Sequence, residues 1–327
     1  MNRILLIDGM NMFIRSFAAL NLSNENGNHI GGIYGVMQSL KSIIELFHPT
    51  RVIYCWEGKG ASKKRREILA EYKAGRDVKR SLNRQFNWET PEQEWESFRA
   101  QLYRVKEYLE VMPIYQIEVE QLEADDVIAY VCNKWWPEEE KVIVSSDRDY
   151  FQLITDKVSV YRPVKKELIT AAFMLSEYKI HPTNWIIIKT LTGDGSDGVP
   201  GIKGLGLKTV VKLFPFLNEP RRIDLAEIID FSQKNVAGSK HFKTIVNEKD
   251  RLEKNWQVMQ LLDHDHFSLA GVEKLQESLK QHPLFKPFQL RLLFMQDNAF
   301  KQIQYFDSWN QIFTPLNYKE AYEPTTS

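Results

Sequence analysis

The segment 192–209, TGDGSDGVPGIKGLGLKT, combines acidic side chains with a loop suited to binding phosphate. Asp194 and Asp197 stand just before this loop, and an amphipathic helix begins near Lys208. The loop glycines are Gly201, Gly204 and Gly206. Without a Cβ, such residues let backbone N–H groups approach a phosphate closely, and the start of a helix favours its negative charge. Carboxylates beside a phosphate-binding loop predict metal ions between the two.

Further acidic residues follow the segments that the hydrophobic pattern predicts as strands. Asp8 ends the first strand and Glu57 follows the second. Asp147 and Asp149 follow the third predicted strand, whereas Glu123, Asp125 and Asp126 stand at the start of a predicted helix. Each group has a structural alternative as a turn or helix cap. Together they favour a cation site, because crowded like charges repel. Oxygen ligands without matching His or Cys favour two Mg²⁺ or Mn²⁺ ions over zinc.

Short apolar runs alternate with helical patterns through the first half of the chain. Strands are predicted at 3–8, 51–56 and 141–145, and helices at 34–47 and 123–136. This alternation predicts an α/β fold with a mostly parallel central sheet and helices on both faces. Ligands of such a sheet bind outside the carboxyl ends of its strands, where the acidic residues are expected.

Residues 58–95 interrupt this pattern and predict a helical insertion above the sheet. Ten Lys and Arg residues lie between Lys59 and Arg84, which suits a polyanion but also a solvated helix face. Lys73 and Arg76 are one helical turn apart and could point the same way toward a phosphate. Tyr72 beside them is either a ring for base stacking or a helix-packing residue.

Length and composition suit about two domains at the usual ~100–200 residues each. The division expected is an α/β domain with the metal site over 1–180, a helical region over 181–265 and a C-terminal extension over 266–327 that packs on the core. The 327 residues have no net charge, and Cys55 and Cys132 fall in apolar runs expected to hold buried free thiols. No apolar stretch reaches ~18 residues, so a soluble cytoplasmic protein without a membrane partner is expected.

Ordered motifs identify the chain as similar to the flap endonuclease and 5′–3′ exonuclease superfamily. They are LIDGMNMFIRSF, GGIYGVMQSLKSIIELFHPT, KKRREILAEYKAGR, VEQLEADDVIAYV, VIVSSDRDYFQLI and LTGDGSDGVPGIKGLGLKT, which span roughly residues 4–214. The chain resembles the 5′-nuclease domain of bacterial DNA polymerase I. It also resembles free-standing phage enzymes, including those named ribonuclease H for removing RNA primers.

The resemblance implies a role for each matching residue. Metal site one would contain Asp8, Glu57, Glu123, Asp125 and Asp126. Asp147 and Asp149 would link the two ions, and Asp194 and Asp197 would complete site two. Lys73 and Arg76 match the arch residues at the scissile phosphate. Substrate-binding positions would be Arg65, Tyr72, Gly201, Lys203, Gly204, Gly206 and Lys208. The loop and its flanking helices match a helix–loop–helix element that binds duplex backbone, often with a K⁺ ion on loop carbonyls.

Two positions depart from the family pattern. Glu57 stands where relatives usually have Asp, so its carboxylate reaches about one methylene further and could bind an ion through water. Gly198 stands where Asn is common, which predicts a looser loop. Neither change removes a metal ligand.

The resulting hypothesis is a two-metal 5′ nuclease with exonuclease and flap endonuclease activity. Its substrates would be branched or nicked DNA and RNA–DNA hybrids, in primer removal during replication. The protein is expected to be a monomer, with a single-stranded-DNA-binding protein or a sliding clamp as plausible partners. The alternatives are a single-strand ribonuclease, against which the glycine loop argues, and a non-catalytic branch-binding protein, which a missing acidic ligand would favour. A 3′–5′ proofreading exonuclease is a weaker alternative, since Asp8 does not begin the Asp-x-Glu signature of such enzymes.

Overall fold

The computed structural model describes residues 2–77, 81–261, 267–299 and 305–316, with only the backbone of residues 76 and 77. In this part of the chain, a six-stranded sheet has the strand order β3-β2-β1-β4-β5-β6. The strands are β1 (Arg3–Asp8), β2 (Arg51–Trp56), β3 (Tyr115–Glu118), β4 (Glu140–Val144), β5 (Val158–Arg162) and β6 (Glu167–Ile169). Adjacent strands are parallel except for the β5–β6 pair at one edge. The predicted α/β class and mostly parallel sheet are confirmed.

Helices cover both faces of the sheet and form most of the described part of the chain after residue 180. They are α1 (Gly9–Ala19), α2 (Gly31–Phe47), α3 (Lys63–Ile68), α4 (Pro91–Glu110), α5 (Ala124–Lys134), α6 (Ala171–Phe173), α7 (Trp185–Thr192), α8 (Leu207–Leu213), α9 (Leu225–Lys234), α10 (Lys240–Asn247), α11 (Lys249–Met259), α12 (Leu269–Lys280), α13 (Pro287–Gln296) and α14 (Phe306–Gln311). A two-residue pair, β7 (Gly193–Asp194) with β8 (Val199–Pro200), closes the acidic loop after α7. In the described residues, no helix is both long and apolar enough to cross a membrane.

The hydrophobic pattern explains the central strands and the helices that pack on them. β1 and β2 are apolar on both faces and almost fully buried, as expected for parallel strands covered on two sides. Helix α2 begins at Gly31, three residues before the predicted start, and α4 begins with Thr90 as N-cap and Pro91 in its first turn.

Two hydrophobic cores lie on opposite faces of the sheet. One contains side chains of α5, α7 and the later helices through α12, including Ile187, Val210 and Phe214. The other contains side chains of α1, α2 and α4 together with Phe294 and Trp309 of the C-terminal part. The aromatic C-terminal residues in the described segment therefore include several that pack on this face of the sheet. Both cysteines are buried free thiols, as expected.

The insertion between β2 and α4 carries less regular helix than its sequence predicts. Its α-helix before Pro91 is α3, followed by turns and a short 3-10 helix at Ala74–Asp77. Lys73 has a left-handed backbone with φ 54°, so it does not share one continuous helix with Arg76. The inference that their spacing aligns them on a helix face is therefore wrong. The Arg76 side chain lies outside the described residues.

Candidate metal centre and nucleic-acid interface

The carboxyl end of β1 places Asp8 at the centre of an acidic cleft. Its Oδ1 accepts a hydrogen bond of 3.0 Å from the Asn11 backbone N–H, which caps α1. Its Oδ2 accepts from the Ser145 hydroxyl at 3.0 Å and lies 3.3 Å from the Tyr150 hydroxyl oxygen. Residues that follow the end of β4 therefore orient the Asp8 carboxylate at the end of β1.

Tyr150 also connects this carboxylate with the start of α5, because its hydroxyl donates to Asp125 Oδ1 at 2.6 Å. Burial raises the pKa of Asp8, and the nearby Asp147 charge adds to that rise. Burial likewise raises the pKa of Asp125 well above its usual range, with Asp147 and Asp8 adding repulsion. A bound cation would relieve this burial cost and repulsion.

Glu57 follows β2 and faces the same cleft. Burial raises its pKa to about 7, although Lys73 opposes the rise. The cleft encloses about 1050 Å³ and lies outside the carboxyl ends of the strands, as expected for a doubly wound sheet. The site residues predicted from the sequence that line this cleft are Asp8, Glu57, Lys73, Asp125, Asp147 and Asp197.

Two other predicted ligands, Glu123 and Asp126, are buried and paired with cations of the insertion. Arg65 contacts both Asp126 oxygens, at 2.6 and 2.9 Å, and Glu123 Oε2 at 3.1 Å. Lys73 Nζ lies 2.8 Å from Glu123 Oε2, and the Tyr72 hydroxyl donates to the same oxygen at 2.9 Å. The two carboxylates also form the capping box of α5.

These contacts show how the predicted substrate residues of the insertion are placed here. Arg65 is anchored further by its Nε, which donates to the Val258 carbonyl at 2.8 Å. Tyr72 is only 4% exposed, so its ring is not available for stacking in this conformation. Lys73 lines the cleft but its ammonium is held by Glu123. A phosphate contact by Lys73 would require the ammonium to leave that carboxylate.

Two of the remaining acidic residues, Asp149 and Asp194, contact a lysine of the scaffold. Lys189 Nζ lies 2.5 Å from Asp149 Oδ1 and 2.6 Å from Asp194 Oδ2. Burial raises the pKa of Asp149 to about 7 despite this partner. Burial alone would raise the pKa of Asp194 also, but hydrogen bonds from Lys189 and Ser196 outweigh it and lower the value to about 2. Asp147 is fixed separately, since its Oδ1 accepts the Asp149 N–H at 2.9 Å.

The glycine loop links α7 to α8 and leaves part of its surface open. A Cβ at Gly201 would lie 1.9 Å from the Thr192 carbonyl oxygen, and Gly204 has φ +78°. Gly206 precedes α8 with free space around it. Lys203 and Lys208 are exposed. The loop can therefore present backbone and cationic groups to a phosphate.

Gly198 connects the acidic loop to the insertion. Its φ is +70°, and a Cβ there would lie 2.4 Å from the Glu71 carbonyl oxygen. Next to it, the Lys73 N–H donates to the Asp197 carbonyl at 2.8 Å. The glycine therefore permits a close contact between two segments, and the looser loop expected at Gly198 stays a prediction.

The oxygen donors of the cleft fit divalent metal ions, although the carboxylates are not close enough together in this structure to bind one ion jointly. Within the described ranges, no three His, Cys, Asp or Glu side chains form a group that could hold one ion. The oxygen-only donors and the pKa values raised by burial and mutual repulsion suit hard cations. Binding would therefore require side chains now held by Arg65, Lys73 and Lys189 to reorient.

The site residues that the sequence analysis missed include Tyr150 and Lys189, as well as Arg15, which lines the cleft. Tyr150 directly follows the SDRD motif, and a hydroxyl at that position was a usable signal. Lys189 was signalled by its place as the single cation in the apolar helix WIIIKTLT, five residues before Asp194. A lysine in such a helix is expected to be paired when buried.

The chain is similar in sequence to proteins of known activity. A 5′-3′ exonuclease of Bacillus subtilis is 33% identical over 221 residues, which are 65% of this chain and 69% of that protein. Thermostable DNA polymerase I of Thermus thermophilus is 35% identical over 213 residues, 64% of this chain. The match spans only 24% of the polymerase's length.

The fold also matches a solved structure, the phage T5 5′-exonuclease with divalent metal ions (zinc) bound. The TM-score is 0.69 at 21% identity, with 85% of this chain and 97% of that chain covered. Residues 3–179 match the family described as 5′-3′ exonuclease, N-terminal resolvase-like domain. This chain therefore belongs to the 5′–3′ exonuclease family.

Proposed function

We propose that the protein is a structure-specific 5′ nuclease with 5′–3′ exonuclease and flap endonuclease activity. The observation that carries this proposal is the acidic cleft, which places carboxylates from separate strand ends beside a cationic insertion. Family membership supports cleavage of phosphodiester bonds in nicked or branched DNA. Removal of RNA primers during replication, through RNA–DNA hybrids, is the corresponding biological role.

Two Mg²⁺ or Mn²⁺ ions are the proposed cofactors. Asp8, Glu57, Asp125, Asp147 and Asp197 are the candidate ligands that face the cleft. Glu123, Asp126, Asp149 and Asp194 complete the proposed set. When bound, such ions lower the pKa of a water and neutralise charge on a phosphodiester. The protein's own contribution is to hold the carboxylates through Ser145, Tyr150 and the α5 capping box.

Lys73 and Arg76 are proposed to stabilise the scissile phosphate. The Lys73 ammonium already lies at the cleft, and its raised pKa keeps it protonated, since Glu123 and Asp125 outweigh the cost of burial. A phosphodiester in the cleft would offer it a second anionic partner. Arg65 would instead hold the insertion to α5, because its donors already face Asp126, Glu123 and Val258.

Duplex binding is proposed at the loop between α7 and α8, through Gly201, Lys203, Gly204, Gly206 and Lys208. Because these contacts would be to backbone phosphates, affinity should fall steeply with salt and show little base specificity. A K⁺ ion at the loop carbonyls is part of this proposal. The insertion at 58–95 would capture the free 5′ strand, which sets polarity.

The wider assignments also belong to the proposal. The chain is divided into a nuclease domain (1–180), a helix–loop–helix region (181–265) and an extension (266–327). It acts as a monomer, with a single-stranded-DNA-binding protein or sliding clamp as its replication partner. The close packing of the later helices on both sheet faces supports a rigid frame for DNA.

The test is cleavage of a 3′-labelled 5′-flap duplex in Mg²⁺ or EDTA by wild type and Asp147→Asn. Mg²⁺-dependent release near the junction, lost in Asp147→Asn while DNA binding persists, is expected. Tight binding without cleavage by wild type would instead indicate a branch-binding protein. Cleavage of single-stranded RNA with no preference for a duplex junction would indicate the ribonuclease alternative.

A further inference from the structure

Lys189 occupies a position that the proposed reaction does not by itself explain. It lies in the last turn of α7, a helix whose other side chains are largely apolar and buried. Only 8% of its surface is exposed. A buried ammonium is costly unless anions surround it closely, so its partners must account for its presence.

Those partners are two of the proposed metal ligands. The ammonium lies 2.5 Å from Asp149 Oδ1 and 2.6 Å from Asp194 Oδ2. The other Asp194 oxygen accepts from the Ser196 N–H and hydroxyl at 2.8 and 2.5 Å. The ammonium therefore lies between the two acidic side chains, in contact with one oxygen of each.

The Lys189 ammonium at this position opposes the binding of a metal ion to the same carboxylates. A divalent ion that uses the same two oxygens must displace the ammonium or repel it at close range. Lys73 plays a comparable part at Glu123, but it belongs to the insertion, whereas Lys189 belongs to a helix of the core. Competition from Lys189 is thus built into the scaffold.

We propose that Lys189 is a positioning residue that serves as the resident cation of Asp149 and Asp194 and weakens binding of the second divalent ion. The substrate-free protein then holds one ion tightly and a second one weakly. The second ion binds well only when another anion, such as a phosphodiester, attracts the ammonium away. This inference rests on the proposed two-metal function and adds how its ion occupancy is controlled.

Mn²⁺ binding to the EDTA-treated full chain without DNA tests the inference. The electron paramagnetic resonance signal of free Mn²⁺ gives the number bound and the affinity of each. Wild type should bind one ion tightly, and Lys189→Met should bind two, the second at least about tenfold more tightly than in wild type, because charge repulsion is removed. Lys189→Gln provides a second neutral variant, and circular dichroism checks that each is folded.

Three further variants assign the effect. Lys189→Arg keeps the cation and should retain the wild-type count. Asp149→Asn added to Lys189→Met should remove the gained tight site. Lys157→Met, which loses a cation paired with Glu138 on the surface, should bind Mn²⁺ as wild type does.

The outcomes separate this inference from the proposed function. Folded Lys189→Met and Lys189→Gln proteins with the wild-type count and affinities would overturn the role of Lys189. Two equally tight ions on wild type would also overturn it. No bound ion on wild type or either neutral variant would contradict the proposed metal centre itself, and this inference with it.

Discussion

The two legs of the insertion are attached to the core in different ways. The first leg, residues 58–77, is held by ion pairs from Arg65 and Lys73 to Glu123 and Asp126. The second leg, residues 81–90, is held away from these carboxylates. Asn83 donates to the Phe17 and Leu20 carbonyls at 2.8 and 3.0 Å, and its own N–H donates to Glu94.

Because the two legs are attached by different groups, the first leg can move while the second keeps its place. The anions that hold the first leg are proposed metal ligands, so divalent ions and a phosphodiester would compete for its attachment. The second leg depends on backbone carbonyls and on a buried group around His29, whose ring lies 3.0 Å from the Gln101 amide nitrogen. Ion binding should therefore alter the first leg and leave the second in place.

The largest expected effect follows from removing the main cation of the first leg. Arg65→Met leaves Asp126 buried without its bidentate partner, which should lower the free energy of unfolding by about 3 kcal/mol. Denaturant unfolding measures this loss. Adding Asp126→Asn should recover part of it by removing the uncompensated charge.

A matched surface arginine sharpens this prediction. Arg221 pairs with Glu219 and Glu227 in solvent, so Arg221→Met should leave unfolding unchanged. Equal losses for Arg65→Met and Arg221→Met would contradict a special attachment of the first leg.

A smaller effect is expected where the first leg meets the acidic loop. Gly198→Ala introduces a Cβ against the Glu71 carbonyl at a residue with φ +70°, and should cost about 1–2 kcal/mol. Because the leg must shift, trypsin should cleave near Arg65 and Arg66 faster than in wild type. Gly195→Ala is the control, since its Cβ meets nothing within 4 Å. Indistinguishable digestion of the two variants would argue against the close contact.

The smallest effect concerns the second leg and pH. Burial lowers the pKa of His29 below its usual 6.5, although Glu94 and the Leu20 carbonyl oppose the shift. The unfolded chain therefore binds a proton more readily than the folded one as pH falls below about 6.5, and stability declines there. Unfolding at pH 7.5 and 5.5 should show this decline in wild type and a weaker one in His29→Gln. An identical pH dependence in both proteins would exclude His29 as its source.

Much of the fold was predictable because local pattern and tertiary burial agree. Strand β1 matches its predicted bounds, and the predicted helix at 123–136 is observed as α5, because apolar periodicity dominates in buried elements. The insertion was less predictable. Its charged residues suit a solvated helix, but Arg65, Tyr72 and Lys73 instead contact carboxylates that are far away in the sequence. The spacing of residues within the insertion does not reveal those contacts.

The acidic composition of the site was also evident, whereas its internal cations were not. Strand ends gather Asp8, Glu57 and Asp147 at one edge for topological reasons that a sequence reveals. The pairing of Lys189 with Asp149 depends on how α7 packs beside the 3-10 helix Asp149–Leu153, which follows β4. That arrangement is set by tertiary packing, so it required the structure.

Cleavage polarity tests the central claim most directly. Two duplexes with the same sequence and junction, one with a 5′ flap and one with a 3′ flap, would be incubated with the protein and Mg²⁺. A 5′ nuclease should cleave the 5′ flap near its junction and leave the 3′ flap intact, because the free 5′ strand must meet the insertion beside the acidic cleft. Equal cleavage of both flaps, or cleavage of the 3′ flap alone, would contradict the account.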